Sequence, residues 1–179
     1  MSSDERFDVV DEWGHVVGQA TRGECHANPT LIHQAVHVQV FDRDGRLFLQ
    51  KRSAHKDVMP GKWDASVGGH LMAGEHPEHG ARREMQEELG AEPPRLVYAY
   101  YYLWRAPNES ELVRTFVTLH EGPFVLPPEE IEEGRFWSFD EIEARLGRGD
   151  FTHQFEHEFP RLRQYWLRKQ ASMTHFTRE

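Results

Sequence analysis

Three glutamates carry the first chemical signal in this chain: Glu84, Glu87 and Glu88, in the run Arg83-Glu84-Met85-Gln86-Glu87-Glu88. Residues three and four apart share a face of a helix, so these carboxylates project together if the segment is helical. Like charges gathered on one face repel, and a hard divalent cation with oxygen ligands offsets that repulsion. Arg83 lies one position off the face and is placed to pair with Glu75 as the chain passes in front of it. Taken alone, such a run reads equally well as a solvated surface helix.

The segment has the signals of a helix of about three turns. Pro77 suits its first turn, and Gly90 suits the left-handed position just past its end. The wider pattern decides between the two readings. From Gly69 to Ala91 the chain reads G-x5-E-x7-R-E-M-x-E-E-x-G-A, with Gly69, Glu75, Arg83, Glu84, Glu87, Glu88 and Gly90 at fixed spacing. This stretch resembles the Nudix box at every fixed polar and glycine position, with Met85 and Ala91 in the apolar slots. The resemblance implies an α/β/α sandwich and cleavage of a diphosphate linkage in a nucleoside diphosphate derivative or similar small molecule. It also implies that Glu84, Glu87 and Glu88 carry magnesium, with manganese as the alternative. Gly69 would let the backbone approach the metal closely, and Arg83 would orient the carboxylates through a bidentate pair. One of these glutamates, or a carboxylate from a nearby loop, would serve as general base. A metal there would polarise the phosphate and lower the pKa of bound water.

Phosphate oxygens also need cations. Arg52 is the first choice for that role, followed by Lys51 and Lys56, all just upstream of the motif. Trp63, Tyr101, Tyr102 and Trp104 could stack on a base or prenyl chain, although aromatics at such strand positions more often belong to a core.

A second constellation lies around the first. His26 and His33 precede a long strand pattern, His70 follows Gly69, and Glu109 and Glu111 lie beyond the aromatic strand. With the loop RSAHKDVMPGKW (Arg52 to Trp63), this is similar to type I isopentenyl-diphosphate isomerase, a Nudix-fold enzyme with a His/Glu metal site. The resemblance implies a possible second metal site at His26, His33, His70, Glu109 and Glu111, suited to manganese, zinc or magnesium. The alternative is a set of ordinary surface or capping histidines. The isomerase also needs a cysteine just before its glycine-histidine pair, and that position here is Gly68. Cys25 is distant in sequence, and isomerases tend to have a degenerate box whereas this one is intact. Hydrolysis is therefore the expected reaction, with isomerisation and non-catalytic nucleotide binding as alternatives.

Composition agrees with these expectations. A chain of 179 residues most naturally forms one domain, residues 1–179, with an ordinary apolar content. The net charge of -9 weighs against a nucleic-acid polymer as partner, because phosphate backbones call for clustered Lys and Arg. A single cysteine excludes an intrachain disulfide framework and suits a reducing cytosol. No run has membrane-spanning length and the N-terminus lacks signal-peptide features, so a cytoplasmic protein is expected. The resemblance also admits a homodimer, dimers being common in the family.

The elements that must position these residues follow from local pattern. Residues 7–21 suggest a hairpin turning at Trp13-Gly14, and Arg22 to Thr30 reads as a loop. Ala35 to Phe41 and Leu47 to Lys51 are strands joined by a tight turn at Asp42 to Gly45. Trp63 to Val67 should be one short strand leading into Gly68-Gly69. Leu96 to Trp104, Leu112 to Leu119 and Phe136-Trp137 are further strands. Ser138 suits an N-cap for a helix to Leu146. A C-terminal helical segment over 153–171 should bend or break at Pro160, with a loose tail after Met173.

Overall fold

One strand, β3 (Ile32–Phe41), is buried along its whole length, and its alternation divides the protein into two cores. Successive strand side chains point to opposite faces. Val36, Val38 and Val40 therefore pack with Met85 and Leu89 of helix α2 (Pro77–Leu89), while Phe41 packs with Phe155, Phe159 and Leu162 of helix α4 (His153–Phe176) on the other side. Each such apolar side chain taken out of water contributes roughly 1.5–3 kcal/mol. The computed structural model describes residues 4–56 and 58–176.

The sheet is mixed. Strands β1 (Arg6–Val10) and β2 (Val16–Thr21) form the antiparallel N-terminal hairpin, and β1 joins the start of β3. On the other side β3 runs parallel to β8 (Ser110–Leu119), which pairs antiparallel with β7 (Val97–Arg105). Strand β4 (Leu47–Arg52) pairs with β9 (Ile131–Trp137). Among the described residues the one registered contact between β3 and β4 is Phe41↔Leu47, next to their turn. Beyond it the two strands part. Strand β5 (Trp63–Asp64) follows β4 and β6 (Val67–His70) follows β3, leaving a gap between them. The arrangement is the α/β/α sandwich with a mixed sheet and N-terminal hairpin.

Local departures from the sequence expectations have local causes. Arg22 to Ala27 is a short helix, α1, rather than loop, because Thr21 and Glu24 form a reciprocal capping box. The single strand expected over Trp63 to Val67 splits into β5 and β6 as the chain crosses from β4 to β3. Strand β9 begins at Ile131, ahead of the strand expected at Phe136-Trp137, because its polar residues lie on a strand paired to β4. Helix α3 (Phe139–Glu143) has the expected Ser138 cap, again as a capping box, but ends before Leu146. Helix α4 passes through Pro160 without a break. Proline removes one backbone donor, while Phe155, Phe159 and Leu162, on both sides of it, are buried against the same core. The helix also continues to Phe176, past the end expected at 171.

Candidate active site and metal centre

Helix α2 begins where His76 accepts a hydrogen bond from the Glu78 N–H, with Pro77 in the first turn, and ends at left-handed Gly90 (φ 61°). Its length places Arg83, Glu84 and Glu88 beside β6. The Arg83 guanidinium is the hub of this end. It donates to both carboxylate oxygens of Glu75 at 2.9 Å, to Glu84 at 2.7 Å, to the His70 carbonyl at 3.0 Å and to Glu87 at 3.4 Å. Such a forked arrangement matches the planar geometry of arginine. The Glu75 carboxyl lies below its usual pKa: burial pushes it up, and the Arg83 bonds more than offset that.

The three box glutamates do not share one environment. Glu84 is 1 % exposed and lies flat against Gly69, where an added Cβ would come within 1.9 Å of its carboxyl carbon. Burial raises its pKa, opposed by Arg83. Glu88 accepts hydrogen bonds from the Gln50 side chain at 2.8 Å and the Gly68 N–H at 3.2 Å, with no cation paired to it among the described residues. Burial, helped by repulsion from Glu84, pushes its pKa up to about 8. Glu87 is exposed and touches only the far edge of Arg83. Buried Glu84 and half-buried Glu88 repel one another, and Arg83 reaches only the first of them, so the pair suits a divalent cation by donor chemistry, since magnesium takes oxygen ligands and keeps several waters.

Glu88 opens onto the gap between β3 and β4, which forms a cavity of about 390 Å3. Arg22, Arg52 and Lys56 supply positive charge to its wall, and Gln50, Gly68, Gly69, His70, Glu111 and Gln154 also line it. Arg52 is held by Asp64 (3.3 Å) and the Val58 carbonyl (2.9 Å), and Lys56 by Glu130 (3.3 Å). Lys51 is not part of the cavity. Strand alternation turns Gln50 and Arg52 inward and sends Lys51 to Glu132 of β9, at 3.0 Å. None of Trp63, Tyr101, Tyr102 and Trp104 lines the cavity either. Trp63 packs on Trp137, Trp104 on His157, Tyr101 is exposed, and Tyr102 is buried with its hydroxyl on Glu158.

The histidine cluster lies at the far end of the same gap. His26 comes from α1, His33 from β3, His70 from β6, Glu109 from the residue just before β8 and Glu111 from the start of that strand. The three ring centroids are 5.0–5.2 Å apart, and Phe7 stacks on His33 and His70. His33 is fully buried, not a surface residue. One ligating atom from each of His26, His33, His70 and Glu109 falls within 4.8 Å of the others. Among the described residues this is the tightest such convergence, and the box glutamates do not match it. Among the described residues His26 Nε2 and both ring nitrogens of His33 are buried with no hydrogen-bond partner, while Glu109 Oε2 lies 3.1 Å from His26 Nδ1. Such orphaned groups are costly unless something satisfies them. Three imidazoles and a carboxylate are a donor set for zinc or manganese.

The charge states agree. Burial, with the neighbouring His70 and Arg22 charges, lowers the pKa of His26 and His33 to about 4, so both present lone pairs at neutral pH. His70 Nδ1 accepts from Arg22 at 3.0 Å, so Nε2 carries the proton given to Glu111 at 3.0 Å. For His70 to ligate, one of these bonds must be exchanged. Glu111 faces the cavity as an ionised group: burial pushes its pKa up, but hydrogen bonds from His70 and Gln154 and the charge of the histidines hold it at about 2. Cys25 is fully buried in a separate small core with Phe7, Val9 and Ala20, away from the cavity.

Four cavity residues have no local signature in the sequence. Arg22, Gln50 and Gln154 look like ordinary polar surface residues until the chain folds. His37 lies in an alternating strand, where its polarity was the one available signal.

Comparison with known proteins agrees with this architecture. The NUDIX domain family matches residues 31–155. An uncharacterised Nudix hydrolase of Yersinia pestis is 38% identical over 146 residues, 79% of this chain and 77% of that protein. A protein named isopentenyl-diphosphate Delta-isomerase in Streptomyces avermitilis is 34% identical over 155 residues, 83% of this chain and 79% of its own. A crystal structure of a Deinococcus radiodurans protein superposes with a TM-score of 0.71 at 26% identity, covering 83% of this chain and 92% of that one. With its motif intact on α2 and most of its length matched, this chain belongs to the Nudix family.

Proposed function

We propose that this protein is a divalent-metal-dependent hydrolase of a small-molecule diphosphate. The supporting observation is that Glu88 and Gly69, the latter backed by the buried Glu84 carboxyl, line a cavity whose wall carries Arg22, Arg52 and Lys56. Glu84, Glu87 and Glu88, with the Gly69 backbone, would hold magnesium, which when bound supplies Lewis acidity toward the phosphate and acidifies its water. Arg83 fixes the carboxylates, and the wall cations take the charge of the diphosphate. Glu88 or Glu111, both facing the cavity, is positioned to accept a proton from an attacking water. Among the described residues the lining contains no Phe, Tyr or Trp, which favours a compact diphosphate over one whose base must be stacked within the cavity.

A second reading, isomerisation of isopentenyl diphosphate, draws support from the Streptomyces relative and from the His/Glu cluster. Gly68 brings no thiol to the cavity and Cys25 is buried elsewhere, which weighs against it. The test is incubation with magnesium and a panel of nucleoside diphosphates, sugar nucleotides, dinucleotides and isopentenyl diphosphate. Hydrolysis lost in both Glu87→Ala and Glu88→Ala is the expected outcome. Dimethylallyl diphosphate as product would overturn it, and binding without turnover would identify a non-catalytic module.

A further inference from the structure

Beneath the cavity lies a polar assembly that the hydrolase reading does not use. Glu158, on the inner face of α4, is fully buried and accepts hydrogen bonds from side chains of three neighbouring strands. His37 Nδ1 reaches it at 2.6 Å, Thr115 at 2.6 Å, Tyr100 at 3.0 Å, Gln39 at 3.2 Å and Tyr102 at 3.3 Å. These donors come from β3, β7 and β8, so three strands and a helix converge on one carboxylate. A buried pair is a poor source of net stability, because removing both charges from water offsets most of their attraction. Stability alone is thus a weak reason for five donors at this spot.

The other end of the imidazole gives the stronger clue. His37 is 6 % exposed, and its ring is part of the cavity wall. Its Nε2 has no hydrogen-bond partner among the described residues, whereas Nδ1 is fixed by Glu158. The space in front of Nε2 exists because position 68 has no side chain. A Cβ on Gly68 would come within 3.1 Å of His37 Cδ2 and 3.2 Å of Nε2. Gly68 is also the residue whose N–H holds Glu88, and it stands opposite His37 in the β3–β6 pairing. The free nitrogen therefore faces the same cavity as Glu88, Arg52 and Lys56.

We propose that His37 contacts the substrate, its ring fixed by Glu158 so that Nε2 donates a hydrogen bond to an anionic oxygen of the bound diphosphate. Glu158 is a positioning residue that acts through His37. The Glu158 carboxylate, held ionised by its donors, keeps the imidazole charged against its burial, and Asp64 and Glu111 add to that field. A proton on Nε2 follows. This inference rests on the diphosphate reading and adds a substrate contact to it.

The experiment follows the His37 ring nitrogens by NMR in the full chain, titrated with methylenediphosphonate and magnesium. The expected result is a saturable shift of the Nε2 resonance, with His37→Gln weakening probe affinity by about 10- to 100-fold, the range for a hydrogen bond to a charged group. Glu158→Gln should change the protonation pattern of the ring in the free protein, a signature that a purely packing role would not produce. Should either variant fail to fold, the wild-type titration decides alone. Probe bound with an unmoved His37 resonance, or a folded His37→Gln that binds as tightly as wild type, overturns the inference. No binding of probe by the wild type instead refutes the diphosphate reading and this inference with it.

Discussion

Gly69→Ala tests the packing at the centre of the site. The added methyl would stand 1.9 Å from the Glu84 carboxyl carbon and 2.2–2.3 Å from its oxygens. Carbon contacts settle near 3.5–4.0 Å, so the carboxyl must retreat by roughly 1.5–2 Å. It has little room to do so, being 1 % exposed and tied to Arg83 at 2.7 Å. Overpacking costs about 1–3 kcal/mol, and a strained charge-assisted hydrogen bond adds to it, for a combined loss of about 2–4 kcal/mol. In a chain of this size that lowers Tm by roughly 4–16 °C. Thermal unfolding by circular dichroism reads the effect, with Gly18→Ala as control because a Cβ there meets nothing. A double-mutant cycle with Glu84→Ala sharpens it, since removing the obstructing carboxyl should recover at least about 1 kcal/mol. Gly69→Ala with wild-type Tm, or an equal loss in the Glu84→Ala background, would refute the collision.

Arg83→Lys should cost more than about tenfold in hydrolysis rate while leaving the fold intact, because an ammonium cannot span Glu75, Glu84 and the His70 carbonyl at once. An unchanged kcat in a steady-state assay would remove Arg83 as organiser. Glu88 gives a pH signature in metal-free protein: its pKa is raised to about 8 in the fold, so its stabilisation is complete below the unfolded value near 4.5 and is lost as pH rises through about 8. Denaturant unfolding from pH 5 to 9 should show that decline, Glu88→Gln should flatten it, and a slope unaltered by Glu88→Gln would contradict the assignment. At the histidine cluster, His26 and His33 titrate near pH 4. Metal uptake there should be nearly independent of pH from about 6 to 8 and fall below about pH 5. Zinc stoichiometry after dialysis should drop by one equivalent in His33→Ala, and an undiminished stoichiometry would refute the site.

The local chemistry of the box could be read without the fold. Its spacing along α2, the proline and glycine at the two ends and the reach of Arg83 to Glu75 depend on residues close together in the chain. The same holds for the strand alternation of 35–41, the Ser138 cap and the missing side chain at Gly68. Tertiary structure decided what those patterns meet. It separated Lys51 from Arg52 by strand parity, took the aromatics of β7 out of the cavity, and overrode Pro160 by burying both halves of α4 in one core. It also split the box glutamates into buried, cavity-facing and exposed members, although the sequence put all three on one helix face. The largest addition is the pairing of His37 with Glu158 across the width of the protein, at 2.6 Å. Spacing along a chain constrains groups one or two helical turns apart. Burial, charge state and contact between distant residues arise only when α2, α4 and the parted strands close around the same space.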